Sequence, residues 1–94
     1  MENSIRYKVP GGKLLIVRAV WDGRITKLEL LGDFFVHPEE ALNRIEVLLI
    51  GTKPDAEEAE LAGTIKQFVD RNDVVLVGLS PEAIAKGVLM AVNG

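Results

Sequence analysis

The chain has no cysteine, a single histidine and only five aromatic side chains among its 94 residues, and each shortage closes off a kind of chemistry. Without cysteine there are no disulfides, thiolate metal ligands or thiol nucleophiles, which is compatible with a reducing cytoplasm, the expected location. With His37 alone, and neither Ser4 nor Ser80 set in a nucleophile elbow, no Ser-His-Asp arrangement can be assembled. His37 precedes Pro38 at an expected helix entrance, where it reads as a capping or loop-filling residue rather than a base. An excess of one charge sign is also missing. Eleven basic and 14 acidic residues are interleaved to a net −3, leaving no basic stripe to neutralise phosphates, so nucleic acid is not an expected partner. No stretch approaches the roughly 20 apolar residues of a membrane helix. Met1-Glu2-Asn3-Ser4 lacks the basic and apolar regions of a secretory signal, so neither membrane insertion nor export is expected.

What is present is apolar surface. Hydrophobic residues make up 48% of the chain, and the mean hydropathy is +0.20. A single domain over residues 1–94 buries only about 60–65% of the surface that its unfolded chain exposes. More apolar surface is on offer than so small a core absorbs, and such a surplus often ends in an interface.

Along the chain, Ile5 to Val9 reads as an edge strand, Pro10-Gly11-Gly12 as a turn, and Leu14 to Trp21 as a strand. Asp22-Gly23 then predicts a two-residue type I′ hairpin. The returning strand, Arg24 to Leu31, sets Thr26, Leu28 and Leu30 on one face against Ile25, Lys27 and Glu29 on the other. Helix follows. Pro38 suits a first helical position, Glu39 and Glu40 complement the helix dipole, and Ala41, Leu42, Ile45, Leu48 and Leu49 form an apolar stripe, opposite a polar face of Glu40, Asn43, Arg44 and Glu46. A second helix is expected from about Asp55 to Arg71, stopped by Asn72. Val74 to Val77 reads as a short buried strand, and Ser80 as the N-cap of a last helix with Pro81 in its first turn. The order β-β-β-α-α-β-α predicts an α+β fold: a small, mainly antiparallel sheet with helices packed on one face. The carboxylates Glu57, Glu58 and Glu60, like Glu39 and Glu40, stand at helix starts, where the dipole accounts for them without a metal.

Two segments carry more than packing. In Gly32-Asp33-Phe34-Phe35 a turn explains the first pair, with Asp33 bonding the backbone two residues on. The phenylalanines commit about 150–250 Å² of ring surface each, and adjacent side chains of an extended backbone face opposite ways. One ring can be a core plug; both can hardly share one core. In Lys8-Val9-Pro10-Gly11-Gly12-Lys13 a bare double glycine is flanked by lysines. Its amides could approach a phosphate or carboxylate, but the spacing is not that of a P-loop and no helix follows, so the residues by themselves read first as an ordinary tight turn, with a ligand-contacting loop as the alternative.

Together these segments resemble the C-terminal accessory domain of lipoate-protein ligases, which in some prokaryotes is a separate small subunit. The resemblance rests on Lys8 to Lys13, the following strand pair, Gly32-Asp33-Phe34-Phe35 with Pro38-Glu39-Glu40, and Ile45-Glu46 through Gly51. Beyond Gly51 it thins to a helix-strand-helix agreement, with Gly78-Leu79-Ser80-Pro81 resembling the start of the family's last helix. The large catalytic domain is missing from this chain. The resemblance therefore implies a non-catalytic chain that forms a heterodimer with a large catalytic subunit. That subunit would hold ATP, magnesium and lipoate, and the complex would make lipoyl-AMP and pass the lipoyl group to a lysine of an acceptor domain in a 2-oxoacid dehydrogenase complex or glycine-cleavage protein. It further implies an interface or lid role for Gly32, Asp33, Phe34 and Phe35, and a place near the nucleotide for Gly11, Gly12 and Lys13. The alternative is a free-standing α+β module that binds a small metabolite or regulates.

Overall fold

Two apolar runs joined at Asp22-Gly23 form the centre of the structure, a computed structural model that describes residues 1–94. Strands β1 (Glu2–Lys8), β2 (Leu14–Trp21) and β3 (Ile25–Gly32) make an antiparallel sheet in the order β1-β2-β3. The β1 strand starts earlier than its apolar residues suggest, because the Met1 amino group donates to the Trp21 carbonyl at 2.7 Å. In the central strand Leu15, Val17, Ala19 and Trp21 point inward and are buried. The register sets Ile5 and Leu30 on either side of Val17.

The hairpin differs from the expected type I′ turn. Trp21 pairs with Ile25, so Asp22, Gly23 and Arg24 form a three-residue connection in which only Gly23 has positive φ, +75°. A register shift between Val20 and Trp21 leaves Thr26 as an extra residue. Such a bulge flips the strand's phase. Ile25 is therefore buried and Thr26 exposed, the reverse of simple alternation, while Leu28 and Leu30 are buried as expected.

The remaining elements are β4 (Phe35–His37), α1 (Glu40–Leu48), α2 (Glu58–Arg71), β5 (Val75–Val77) and α3 (Pro81–Asn93). Strand β4 was not expected. It pairs antiparallel with β5 in a second, two-stranded sheet, which puts His37 in a strand and starts the helix two residues after Pro38. The second helix begins at Glu58 rather than Asp55, and Asn72 ends it, donating through Nδ2 to the Phe68 carbonyl at 2.8 Å. Ser80 caps α3 as its sequence predicts, accepting the Ala83 N–H at 3.1 Å.

Helices cover one face of the three-stranded sheet. The α3 helix lies on β1 and β2, α2 packs on α3, and α1 packs on β3 and β4. Gly87 lets α3 settle onto the sheet, since a Cβ there would stand 2.9 Å from Leu15 Cδ2. One cluster of 20 buried apolar residues results, with Leu15, Ile45, Ile65 and Ile84 at its centre. The fold is thus α+β with helices on one face of an antiparallel sheet. No helix is long and apolar enough to cross a membrane.

Candidate interface and loop site

The two segments singled out in the sequence meet at one end of the molecule. Strand β2 enters the sheet from the Pro10–Lys13 loop and β3 leaves it at Gly32, so register alone brings them together. Asp33 joins them: its Oδ1 accepts the Leu14 N–H at 3.0 Å, across the sheet rather than from the backbone two residues on. Gly32 is required by space, because a Cβ there would strike the Leu14 carbonyl oxygen and stand 2.7 Å from the Phe34 ring.

The paired rings divide as an extended backbone demands. Phe34 is half-buried and packs against the core cluster, whereas Phe35 is 72% exposed. In the β4–β5 pairing Phe35 stands opposite Val77 and His37 opposite Val75. Val75 and Val77 are 53% and 52% exposed, which corrects the expectation of a buried strand. Of that segment only Val74, just outside β5, is buried, and Leu76 is half-buried. Residues at alternate strand positions share a face. Phe35, Val75 and Val77 therefore share one exposed, largely apolar face, with His37 beside them opposite Val75. A two-stranded ribbon is marginal alone, and here the body of the domain supports its other face through Leu76.

The Pro10–Lys13 loop is a tight turn in its own bonding. Gly12 N–H donates to the Val9 carbonyl at 2.9 Å, Val9 N–H to the Lys13 carbonyl at 3.0 Å, and Gly11 has φ +68°. Pro10 and Gly11 suit the central positions of a type II turn. Lys13 N–H donates to the Gly78 carbonyl at 3.1 Å. The Gly12 and Lys13 amides are thus taken up within the chain, as the tight-turn reading of the sequence expects, and are not free to meet a ligand. The Lys13 side chain is exposed. The chain's ion pairs are Arg18–Glu29 and Lys66–Asp70, so the Lys13 ammonium has no carboxylate partner.

Glu46 is a structural residue that its place on a polar helix face concealed. It is half-buried, and its Oε2 accepts the Leu30 N–H at 2.7 Å. One shallow surface concavity lies at the site itself, lined by Leu31, Gly32, Phe34, Phe35, Val36 and Leu42; another between α1 and α2 is lined by Arg44, Val47, Leu48 and Phe68, with the Arg44 guanidinium 5.0 Å from the Phe68 ring centre. No group of three His, Cys, Asp or Glu side chains is placed to hold a metal ion.

No protein-family model matches the chain. Lipoate-protein ligase A subunit 2 of Thermoplasma acidophilum is 28% identical to it over 82 residues, covering 87% of this chain and 82% of that protein. A solved structure of an archaeal lipoylation system, a bipartite lipoate-protein ligase and its E2 lipoyl domain from Thermoplasma acidophilum, contains a chain that superposes with a TM-score of 0.73. That match is also 28% identical and covers 94% of each chain. In sequence and in fold, over nearly its whole length, this chain resembles the small accessory subunit of a two-chain lipoate-protein ligase.

Proposed function

We propose that this chain is the accessory subunit of a cytoplasmic lipoate-protein ligase and works with a large catalytic subunit. The pair joins the lipoate carboxylate to the α-phosphate of ATP, with magnesium, releasing pyrophosphate and forming lipoyl-AMP. The lipoyl group then passes to a lysine on an acceptor lipoyl domain of a 2-oxoacid dehydrogenase complex or glycine-cleavage protein. The observation that carries this reading is the similarity to a protein named as subunit 2 of such a ligase over 87% of this chain.

The residues supply a physical role for a chain that performs no chemistry itself. The apolar face of Phe35, Val75 and Val77 docks on the large subunit, and Phe34 holds that face to the core from behind. Docking brings the Lys13 end of the domain over the nucleotide, where a free ammonium meets phosphate or carboxylate with a charge-assisted contact. A domain closed over the site also keeps water from a mixed anhydride that hydrolyses readily. Titrating the large subunit with this chain tests the pairing. A stable 1:1 complex is expected by light scattering, and two chains that stay separate at tens of micromolar would contradict it.

A further inference from the structure

The Lys13 loop and the docking ribbon are tied together at Gly78. This residue directly follows β5, whose Val77 stands opposite Phe35. Its carbonyl accepts the Lys13 N–H at 3.1 Å, and its φ is +78°. The aliphatic stem of Lys13 lies against its Cα: a Cβ at Gly78 would collide with Lys13 Cγ and sit 3.3 Å from Lys13 Cβ. On the other side of the contact, a Cβ at Gly12 would stand 2.8 Å from the Gly78 carbonyl oxygen. Backbone meets backbone here only because both positions are glycine. The effect on Lys13 is directional. The stem of an exposed lysine ordinarily samples many rotamers, whereas this one starts along a groove that Gly78 leaves open.

We propose that Gly78 is a positioning residue that aims the Lys13 ammonium and fixes it relative to the docking ribbon. Asp33 shares the task by holding the next residue, Leu14, through its N–H. This assignment rests on the proposed contact between Lys13 and an anionic group in the activation step. It adds that the contact depends on a glycine 65 positions away in sequence, the separation between residues 13 and 78. Seating the ribbon on its partner then sets where the ammonium lies.

A double-mutant cycle in the reconstituted two-subunit complex tests it, with lipoyl-AMP formation, transfer from preformed lipoyl-AMP and complex affinity read in parallel. Lys13→Ala should slow lipoyl-AMP formation by about 10- to 100-fold, the loss of one charge-assisted contact. Gly78→Ala should slow the same half-reaction to a similar extent, with transfer and affinity within about twofold of the parent. Combined with Lys13→Ala it should cause no further loss, since the side chain it misdirects is gone. Asp33→Ala, which introduces no strain at a positive φ, should slow activation and leave transfer alone. Losses that multiply in the double variant, or that fall equally on both half-reactions, would mean that Gly78 serves the fold and not Lys13. An unchanged rate for Lys13→Ala would remove both the contact and its positioning residue. It would leave the accessory role itself to be judged by whether the chain stimulates its partner.

Discussion

The two exposed edges of this small domain are treated in opposite ways. Along β3 the chain's own groups close the edge at Ile25 and Leu30. The Glu46 carboxylate takes the Leu30 N–H, and the backbone of residues 51–52 pairs with Ile25 in both directions, Gly51 N–H to the Ile25 carbonyl and Ile25 N–H to the Thr52 carbonyl, at 2.8 Å each. At the β4–β5 ribbon Phe35, Val75 and Val77 are left facing out. The chain covers one edge with its own atoms and leaves three large apolar side chains together on another, and the proposed interface lies at the second. The ribbon holds part of the apolar surplus, and Val47, Leu48 and Ile50 at the end of α1 are exposed as well.

Three substitutions sharpen or break that contrast. The largest effect belongs to the closed side: Ile45, fully buried on α1, should lose about 2–5 kcal/mol of folding stability on Ile45→Ala, read from urea unfolding. Next comes the open side, where Phe35→Ala should cost about 2–4 kcal/mol of association with the large subunit by calorimetric titration. The same change should move folding stability by no more than about 0.5 kcal/mol. A loss of stability with unchanged affinity would place the interface elsewhere. The smallest is Glu46→Ala, which orphans a part-buried N–H and should lower folding stability by about 1–3 kcal/mol without touching association. Weakened association for Glu46→Ala would erase the distinction between the two edges.

The sequence speaks clearly where structure is local. Alternation over Leu14 to Trp21, the 3.6-residue stripe on α1, in which Ala41, Ile45 and Leu49 are buried and Leu42 half-buried although Leu48 is exposed, and Ser80 three residues before the N–H it caps are all settled within one or two turns of chain. What escapes notice is bonded over distance. Strand β4 is three residues long, too short for a period, and its partner β5 lies about 40 residues on. The Thr26 bulge inverts a face with no glycine or proline to announce it. Glu46 looks like any solvated carboxylate until the strand it serves is beside it. The candidate site divides the same way. Adjacent aromatic rings on an extended backbone require one inside and one outside, and Phe34 and Phe35 obey. Which strand would stand beside the outer ring, and that the Gly78 carbonyl would take the Lys13 N–H, depends on contacts made 40 to 65 positions apart.

The accessory role itself is tested most directly by measuring lipoyl-AMP formation from lipoate, ATP and magnesium with this chain alone, the large subunit alone, and the two together. The expected result is no adenylate from this chain alone and synthesis by the pair well above that of the large subunit alone. Adenylate made by the isolated 94-residue chain, or a large subunit whose rate is the same with and without it, would contradict the proposed role.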